Sequence, residues 1–446
     1  MLAALLLAAS GLPEAADCEK ISSDPAAALA YSAGLQGFIY GYPIVDMLKQ
    51  MHNETHRVSA DQPVVAPVNS IVPYPHILTP ETQGQLRAPN ADTLYLNAWV
   101  DMSKGPVLVE VPDMGSRYYT LAFMDLYAKP HHLGTRTNGG KAMKYALVGP
   151  SGGAVPEGYE RFDLPTDKAW MLGRVLADGP ADEKRVIAIA KTFRMQGPMA
   201  AEVTSAEPMN PYASPDYFTL LNGALKSLPP IADEAALMAT FDRAGFGPAV
   251  SFVPEKLPPA QLLGLACAVR IGNDVLAKQG FKPTQMANGW MRNNRMDKPG
   301  HDYVLRAETV RGGYVNAEEE SIYPAAVMDN KGEMFDGSRT YRIRFDAGKL
   351  PPVGAFWSIT AYDLATAKLV PNAIKRYQFG DRTKGVKYGK DGSLTVTLSA
   401  APPKEGISNW LPTPAGRYHL VTRMYLPKPE ALDGRYKLPP VERVEP

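Results

Sequence analysis

Two stretches of this chain concentrate the residue types from which acid–base and anion chemistry are built. The first is Arg117-Tyr118-Tyr119, followed by Asp125 and Tyr127. Side chains alternate along a strand, so a strand here places Arg117, Tyr119 and Asp125 on one face. A carboxylate held near a guanidinium and aromatic rings can be tuned toward the working pH and act as a general base. The second stretch is Asn90-Ala-Asp92-Thr-Leu-Tyr95, just ahead of a β-prone run. Asp92 or Asp125 is therefore the candidate base. Arg117 or Arg136 is the candidate holder of an anionic group or a developing oxyanion. Tyr95 and Tyr119 would position it. A structural reading competes with each assignment. Buried Arg and Asp normally pair with one another, and Asn or Asp before a strand often bonds its own backbone.

A third group lies in the C-terminal half. Phe356-Trp357-Ser-Ile-Thr-Ala-Tyr362-Asp363 alternates aromatic and polar side chains, Asn409-Trp410-Leu-Pro412 is a rigid loop, and Arg423 and Tyr425 follow on a strand. Aromatic walls with a few convergent polar groups are what small-molecule pockets are made of. Trp357, Tyr362, Trp410 and Arg423 are the candidate substrate-binding residues, Trp357 and Trp410 as apolar walls; plain core packing is the alternative. No cofactor is expected. A divalent metal is a weaker alternative: His52 and His56 stand at i and i+4, one face of a helix, and His76 could be the third ligand a zinc site needs. His131 and His132 are adjacent and face opposite sides of a strand, which favours structural roles. No phosphate-binding loop, dinucleotide fingerprint, HExxH or CxxC occurs, and no nucleophile elbow is read.

These residues need elements to position them. Asp24-Pro25 opens a helix running through Ala26–Lys49, with an interruption expected at Gly41-Tyr42-Pro43. From Gln62 to about Leu176 short β-prone runs alternate with turns at the spacing of a sandwich or barrel. Residues 181–280 carry apolar side chains at helical spacing, and a further helix is expected over His301–Tyr314. Strands return after Tyr323. The expected layout is a signal-peptide remnant at 1–20, an N-terminal β domain with a leading helix at 25–180, a helical insert at 181–300, and a C-terminal β domain at 301–446. The fold class is α+β and β-dominated: two antiparallel β-barrel or jelly-roll-like domains around a helical insert.

Composition bounds the function. The 446 residues carry 47 Lys+Arg against 46 Asp+Glu, a net charge of +1. That balance gives no bulk attraction to nucleic acid or anionic membrane. The 38 Gly and 41 Pro residues favour a turn-rich β architecture over a helical bundle. The opening Leu/Ala run resembles the apolar core of a secretory signal and points to a periplasmic or secreted protein. No later stretch reaches about 18 consecutive apolar residues, so no transmembrane span is expected. Cys267 lies in an apolar helical run and reads as a small core residue. A bridge to Cys18 is the alternative in an oxidising compartment. A Tyr- and Pro-rich surface is compatible with a homo-oligomer.

The same stretches carry a family resemblance. Arg87-Ala-Pro-Asn90-Ala-Asp92-Thr-Leu-Tyr95, Lys104-Gly-Pro-Val, Val111-Pro-Asp113-Met, Arg117-Tyr118-Tyr119 and Met124-Asp125-Leu-Tyr127 resemble the bacterial domain of unknown function numbered 1254. Tyr303-Val-Leu-Arg306-Ala, Glu319-Glu320-Ser-Ile-Tyr323-Pro, Phe356–Asp363, Asn409–Gly416 and Arg423-Met-Tyr425 resemble its usual partner, numbered 1214. The resemblance implies two β-rich domains with helices, often exported, and no settled reaction. The segment Lys129-Pro130-His131-His132 departs from the family pattern, which argues against a histidine mechanism shared by the family. The functional expectation is an exported enzyme acting on a small organic molecule, most simply a hydrolase. The alternative is a non-catalytic periplasmic ligand-binding or envelope-associated protein using the same pocket.

Overall fold

The computed structural model describes residues 18–445, save 61, 63, 85–87, 199–201, 214, 280 and 281. The expected export segment therefore lies almost wholly outside the described residues, as does Arg87. The chain is β-rich with interspersed helices, and its strands form four sheets, none closed into a barrel. Two of the four are mixed, because Met143–Val148 pairs parallel with Glu160–Asp163, and Leu394–Ser399 with Trp410–Pro412.

The N-terminal half stacks two sheets. One runs in the order Val72–Pro73, Thr93–Asp101, Lys168–Leu176, Tyr119–Asp125, Pro130–Gly134. The other runs Glu160–Asp163, Met143–Val148, Val107–Val111, Arg194–Gln196. Leu94, Leu96, Ala98 and Val100 face the second sheet in a dry core with Val107, Val109, Phe123, Leu147 and Met171. The alternate side chains of the Thr93 strand point the other way, yet all nine of its residues are buried. A helical layer covers that outer face: Trp99, Ala122, Met124 and Leu126 join the core of Phe38, Ile44, Phe218 and Leu265.

The leading helix spans Pro25–Thr55 without a break and carries Pro43 inside it. The interruption expected at Gly41-Tyr42-Pro43 does not form. Proline there removes one backbone bond. The helix persists because Tyr40, Gly41, Tyr42, Ile44 and Val45 are all buried in tertiary contact, which outweighs propensity. Its partner is the helix Pro259–Lys278, long and apolar enough to cross a membrane by length and composition. Here one side of that helix lies tight on the leading helix: a Cβ at Gly264 would come within 2.3 Å of the Ala27 carbonyl oxygen. Cys18 and Cys267 are joined in a disulfide, with Cα atoms 5.6 Å apart.

In the C-terminal half the long strands Val353–Asp363 and Tyr418–Pro427 centre a seven-stranded sheet, which packs on a four-stranded sheet containing Tyr341–Phe345 and Leu394–Ser399. The two halves are joined by short hydrogen bonds from the segment 88–92. Ala88 adopts a left-handed backbone, φ 46°, and its N–H donates to the Ala367 carbonyl at 2.7 Å. Tyr362 donates to the Pro89 carbonyl at 2.6 Å, and Asn90 Nδ2 donates to the Tyr425 hydroxyl at 2.6 Å. Asp92, fully buried, accepts from Ser358 Oγ at 2.6 Å and from Arg382 Nη2 at 2.8 Å. Tyr118, Phe356 and Tyr425 pack ring on ring alongside. Beyond them Glu320, also fully buried, accepts from Tyr118 (2.7 Å) and Arg136 (2.9 Å).

His132 completes this seam. Its Nε2 accepts from the Ala317 N–H at 3.1 Å, so the ring proton sits on Nδ1, 3.0 Å from Thr120 Oγ1. Burial, and then the charges of Arg174, Arg136 and His131, push its pKa down to about 3. Glu320 stands 4.0 Å away and does not reverse this, because its charge is already shared by Arg136 and Tyr118.

Two measurements check the seam. Asp92→Asn keeps the Ser358 contact but removes the near charge partner of Arg382; urea unfolding is expected to show a loss of about 2–3 kcal/mol. An unchanged midpoint would contradict the weld. His132 is neutral when folded but titrates near 6.5 when unfolded. The unfolded chain binds the extra proton between those values, so its stabilising share is whole above about pH 6.5 and is lost as pH falls toward about 3. Replacing it by Gln should flatten the acid side of a stability-versus-pH curve relative to wild type; parallel curves would refute the assignment.

Candidate functional site

Where the two halves and the helical layer meet, the structure leaves a cavity of about 460 Å³. Its floor is the outer face of the first N-terminal sheet. Tyr95 and Arg174 are cross-strand neighbours there, followed by Asn97 with Leu172 and Trp99 with Trp170. The strand Lys168–Leu176 alternates buried and half-buried residues, so Trp170, Leu172 and Arg174 project together to this side. Ile322, Val421, Arg423 and Tyr425 from the C-terminal half form the opposite wall. The turn after helix Tyr303–Arg311 supplies Tyr314, which holds a left-handed φ of 64° and packs edge-on against Trp170. Ala88 and Tyr314, both strained, thus both line the cavity.

Among the described residues, the guanidinium groups of Arg423 and Arg174 line this cavity with neutral hydrogen-bond partners. Arg423 donates to Thr360 Oγ1 (3.2 Å), the Ala88 carbonyl (2.9 Å) and the Tyr362 hydroxyl (2.6 Å). Arg174 donates through Nη1 to Asn316 Oδ1 at 3.0 Å and lies over the Tyr95 ring, 5.4 Å from its centroid. Neither has a carboxylate within 4.0 Å among the described residues. Asn316 is fixed in turn, its Nδ2 donating to Ser321 Oγ (3.0 Å) and the Tyr323 hydroxyl (2.7 Å). The Tyr95 hydroxyl accepts from the Asn90 N–H and the Tyr425 hydroxyl accepts from Asn90 Nδ2, so each keeps its own proton to donate. Arginine stays charged at any working pH, and a sequestered cation without an anion is costly. The arrangement is suited to receiving an anion.

The sequence-predicted residues divide between this cavity and other places. Tyr95 and Arg423 line it, with Tyr362 directly behind Arg423. Asp92, Arg117 and Asp125 are not brought together. Asp92 serves the seam. Arg117 precedes its strand rather than lying on it and pairs with Asp182 at 2.5 Å. Asp125 accepts from the backbone N–H groups of Tyr127 and Lys129 and faces His131 Nε2 at 3.0 Å, which closes a hairpin. Tyr119 is in the N-terminal core and accepts from Asn138; Arg136 is held by Glu320. Trp357 lies in the C-terminal core beside Phe345, and Trp410 is buried with its indole N–H on the Ser399 carbonyl at 2.9 Å. His52 bonds the Glu207 carbonyl, His56 the His52 carbonyl, and His76 lies 3.6 Å from Glu183. No group of three metal-ligating side chains gathers among the described residues.

Sequence reasoning passed over Arg174, although one signal was present: an arginine between Leu172 and Leu176 on the same face of a strand. The reading that no GxSxG nucleophile elbow occurs is corrected: Gly149-Pro150-Ser151-Gly152-Gly153 has that spelling. Ser151 sits on an exposed turn between strands and donates to Asp167 at 2.7 Å, not in the strand-to-helix context the motif requires.

Comparison with known proteins follows this division of the chain. Residues 68–197 match the family model described as protein of unknown function DUF1254, and residues 320–429 match that described as DUF1214. No curated protein matches the chain. The crystal structure of the VPA0106 protein from Vibrio parahaemolyticus is similar over 93% of this chain and 100% of its own, with 23% identity and a TM-score of 0.71, which shows a shared fold. An uncharacterised protein from Burkholderia cenocepacia covers 97% and 96% of the two chains at 14% identity and a TM-score of 0.47. With one matched region in each half and the cavity between them, the chain belongs to the proteins that carry this pair of domains of unknown function, 1254 ahead of 1214.

Proposed function

We propose that this protein captures a small organic anion in the junction cavity, with the anionic group on Arg174. The observation that carries the reading is a charged guanidinium, walled by aromatic rings and met, among the described residues, by Asn316 and the Tyr95 ring with no carboxylate. A fork of N–H donors fits a carboxylate in two parallel hydrogen bonds, each stronger than a neutral one. The volume is in the range of small-molecule sites, and its apolar lining from Trp170, Leu172, Ile322 and Val421 suits a ligand with a hydrocarbon body. Capture is favoured over the expected hydrolysis because Asp92 and Asp125, the carboxylates assigned as its base, hold the seam and a hairpin and do not line the cavity. In this reading the protein works outside the cytoplasm, which the Cys18–Cys267 bond supports, and the sheet pairs act as jelly-roll-like frames opening on the cleft.

The test is calorimetric titration with matched pairs of small carboxylates and their neutral amides. At least one acid is expected to bind with its amide at least tenfold weaker, about 1.4 kcal/mol. Arg174→Gln should remove that preference while its melting temperature stays near wild type. Equal binding of acids and amides, or an unaltered preference in the variant, would overturn the assignment. Incubation with the bound acid followed by product analysis separates capture from turnover.

A further inference from the structure

The hydrogen bonds behind Arg174 run in one direction and end on a single uncommitted proton. Arg174 Nη1 donates to Asn316 Oδ1 at 3.0 Å. Asn316 Nδ2 divides its two protons between Ser321 Oγ at 3.0 Å and the Tyr323 hydroxyl at 2.7 Å. Ser321 Oγ donates in turn to Tyr323. The Tyr323 oxygen therefore accepts twice, and its own proton has no acceptor among the described residues. Ser321 is buried with both roles of its hydroxyl filled, whereas Tyr323 is half-buried and lines the cavity. The neighbouring hydroxyls are donors as well: Tyr95 and Tyr425 line the cavity, and each accepts from Asn90 and keeps its proton. A carboxylate has about four acceptor sites. The Arg174 fork with Tyr95 and Tyr425 already matches that number, so the Tyr323 proton is one more than a lone carboxylate accepts.

Building on the reading of Arg174 as an anion site, we infer that the natural ligand is a 2-oxo acid: its carboxylate on Arg174, the oxygen of the adjacent carbonyl on the Tyr323 hydroxyl, and an apolar body beyond. The spacing follows from Asn316. Arg174 Nη1 and the Tyr323 oxygen bond opposite ends of one carboxamide, so they are at most about 8 Å apart. Two hydrogen bonds of about 2.9 Å cover most of that gap, which puts both donors within reach of acceptors on neighbouring carbons. The second acceptor is a carbonyl rather than a hydroxyl, since a ligand hydroxyl would bring one more donor to an end already lined with them. A donor closed in without an acceptor is costly, so Tyr323 discriminates against an acid that lacks this oxygen. Leu172, Ile322 and Val421 line the space left for a hydrocarbon body.

The experiment uses the full chain and three probes of one shape, titrated calorimetrically: 4-methyl-2-oxopentanoate, its 2-methylidene isostere, and 2-hydroxy-4-methylpentanoate. The oxo acid is expected to bind at least about tenfold more tightly than the isostere, which keeps the carboxylate and loses the acceptor, and more tightly than the hydroxy acid. Tyr323→Phe is expected to bring the ratio of oxo acid to isostere to about one, whatever it does to the affinity common to both. Should that variant fail to fold, the comparison of oxo acid with isostere on the wild-type chain decides alone. Arg174→Gln should weaken all three acids. Equal binding of oxo acid and isostere, or a preference that survives Tyr323→Phe, with both acids still dependent on Arg174, would overturn the 2-oxo assignment and leave the anion site standing. Tighter binding of the hydroxy acid would overturn the choice of a carbonyl. No binding by any of the three, or binding that does not depend on Arg174, would overturn both readings.

Discussion

Arg174 is a permanent cation set into a cleft whose other walls belong to a different part of the chain, and among the described residues nothing with a formal negative charge lies within 4.0 Å of it. That unpaired charge, with Arg423 lining the same cavity, organises the site. Asn316 aims it, Ser321 and Tyr323 fix Asn316, and Tyr95 covers its face. Arg174 and Tyr95 come from paired strands of the N-terminal sheet, and Asn316, Ser321 and Tyr323 from one segment of the C-terminal half, so the cleft exists only when the two are docked. The docking is itself electrostatic: Asp92 with Arg382 and Ser358, and Glu320 with Tyr118 and Arg136, are buried carboxylates whose partners come from across the seam.

The same physics explains why charged residues that look alike in sequence end in unlike places. Asp92 and Asp125 have opposite-charge or backbone partners and are satisfied, so they act as fasteners. Arg174 and Arg423 have hydroxyl, amide and carbonyl partners only. A buried ion pair fixes geometry, whereas a cation among neutral acceptors retains the capacity to take an anion. The strained backbones of Ala88 and Tyr314 at the cavity rim fit this account. Each is held by contacts to the C-terminal half or the helical layer, through the Ala367 carbonyl and Asp46 respectively.

Much of the architecture was legible because it follows local periodicity. The helical spacing read over 181–280 is seen in the helix Pro259–Lys278, and the return of strands after Tyr323 in the strand Tyr341–Phe345. The leading helix defeated local reading at Pro43 because its stability comes from burial against helices far along the chain. Trp410 was expected as a pocket wall, yet its indole is sealed by the Ser399 carbonyl, a partner set by the parallel pairing of two strands that no periodicity announces. The cavity was half legible. Tyr95, Tyr362 and Arg423 announced themselves as polar and aromatic groups near strand ends. Arg174 did not, because its neighbours Leu172 and Leu176 make the strand look like ordinary core, and only the helical layer turns that face into a cavity floor. The Cys18–Cys267 pairing, across 249 residues, could not be chosen from spacing alone.

The most direct measurement is a crystal structure of the protein soaked with 4-bromobenzoate, in which the bromine locates the ligand by anomalous scattering and the carboxylate orients it. The account predicts a bromine peak inside the junction cavity, with both carboxylate oxygens within hydrogen-bond distance of the Arg174 guanidinium. A cavity holding only water at saturating ligand, or a ligand whose carboxylate points away from Arg174, would contradict it.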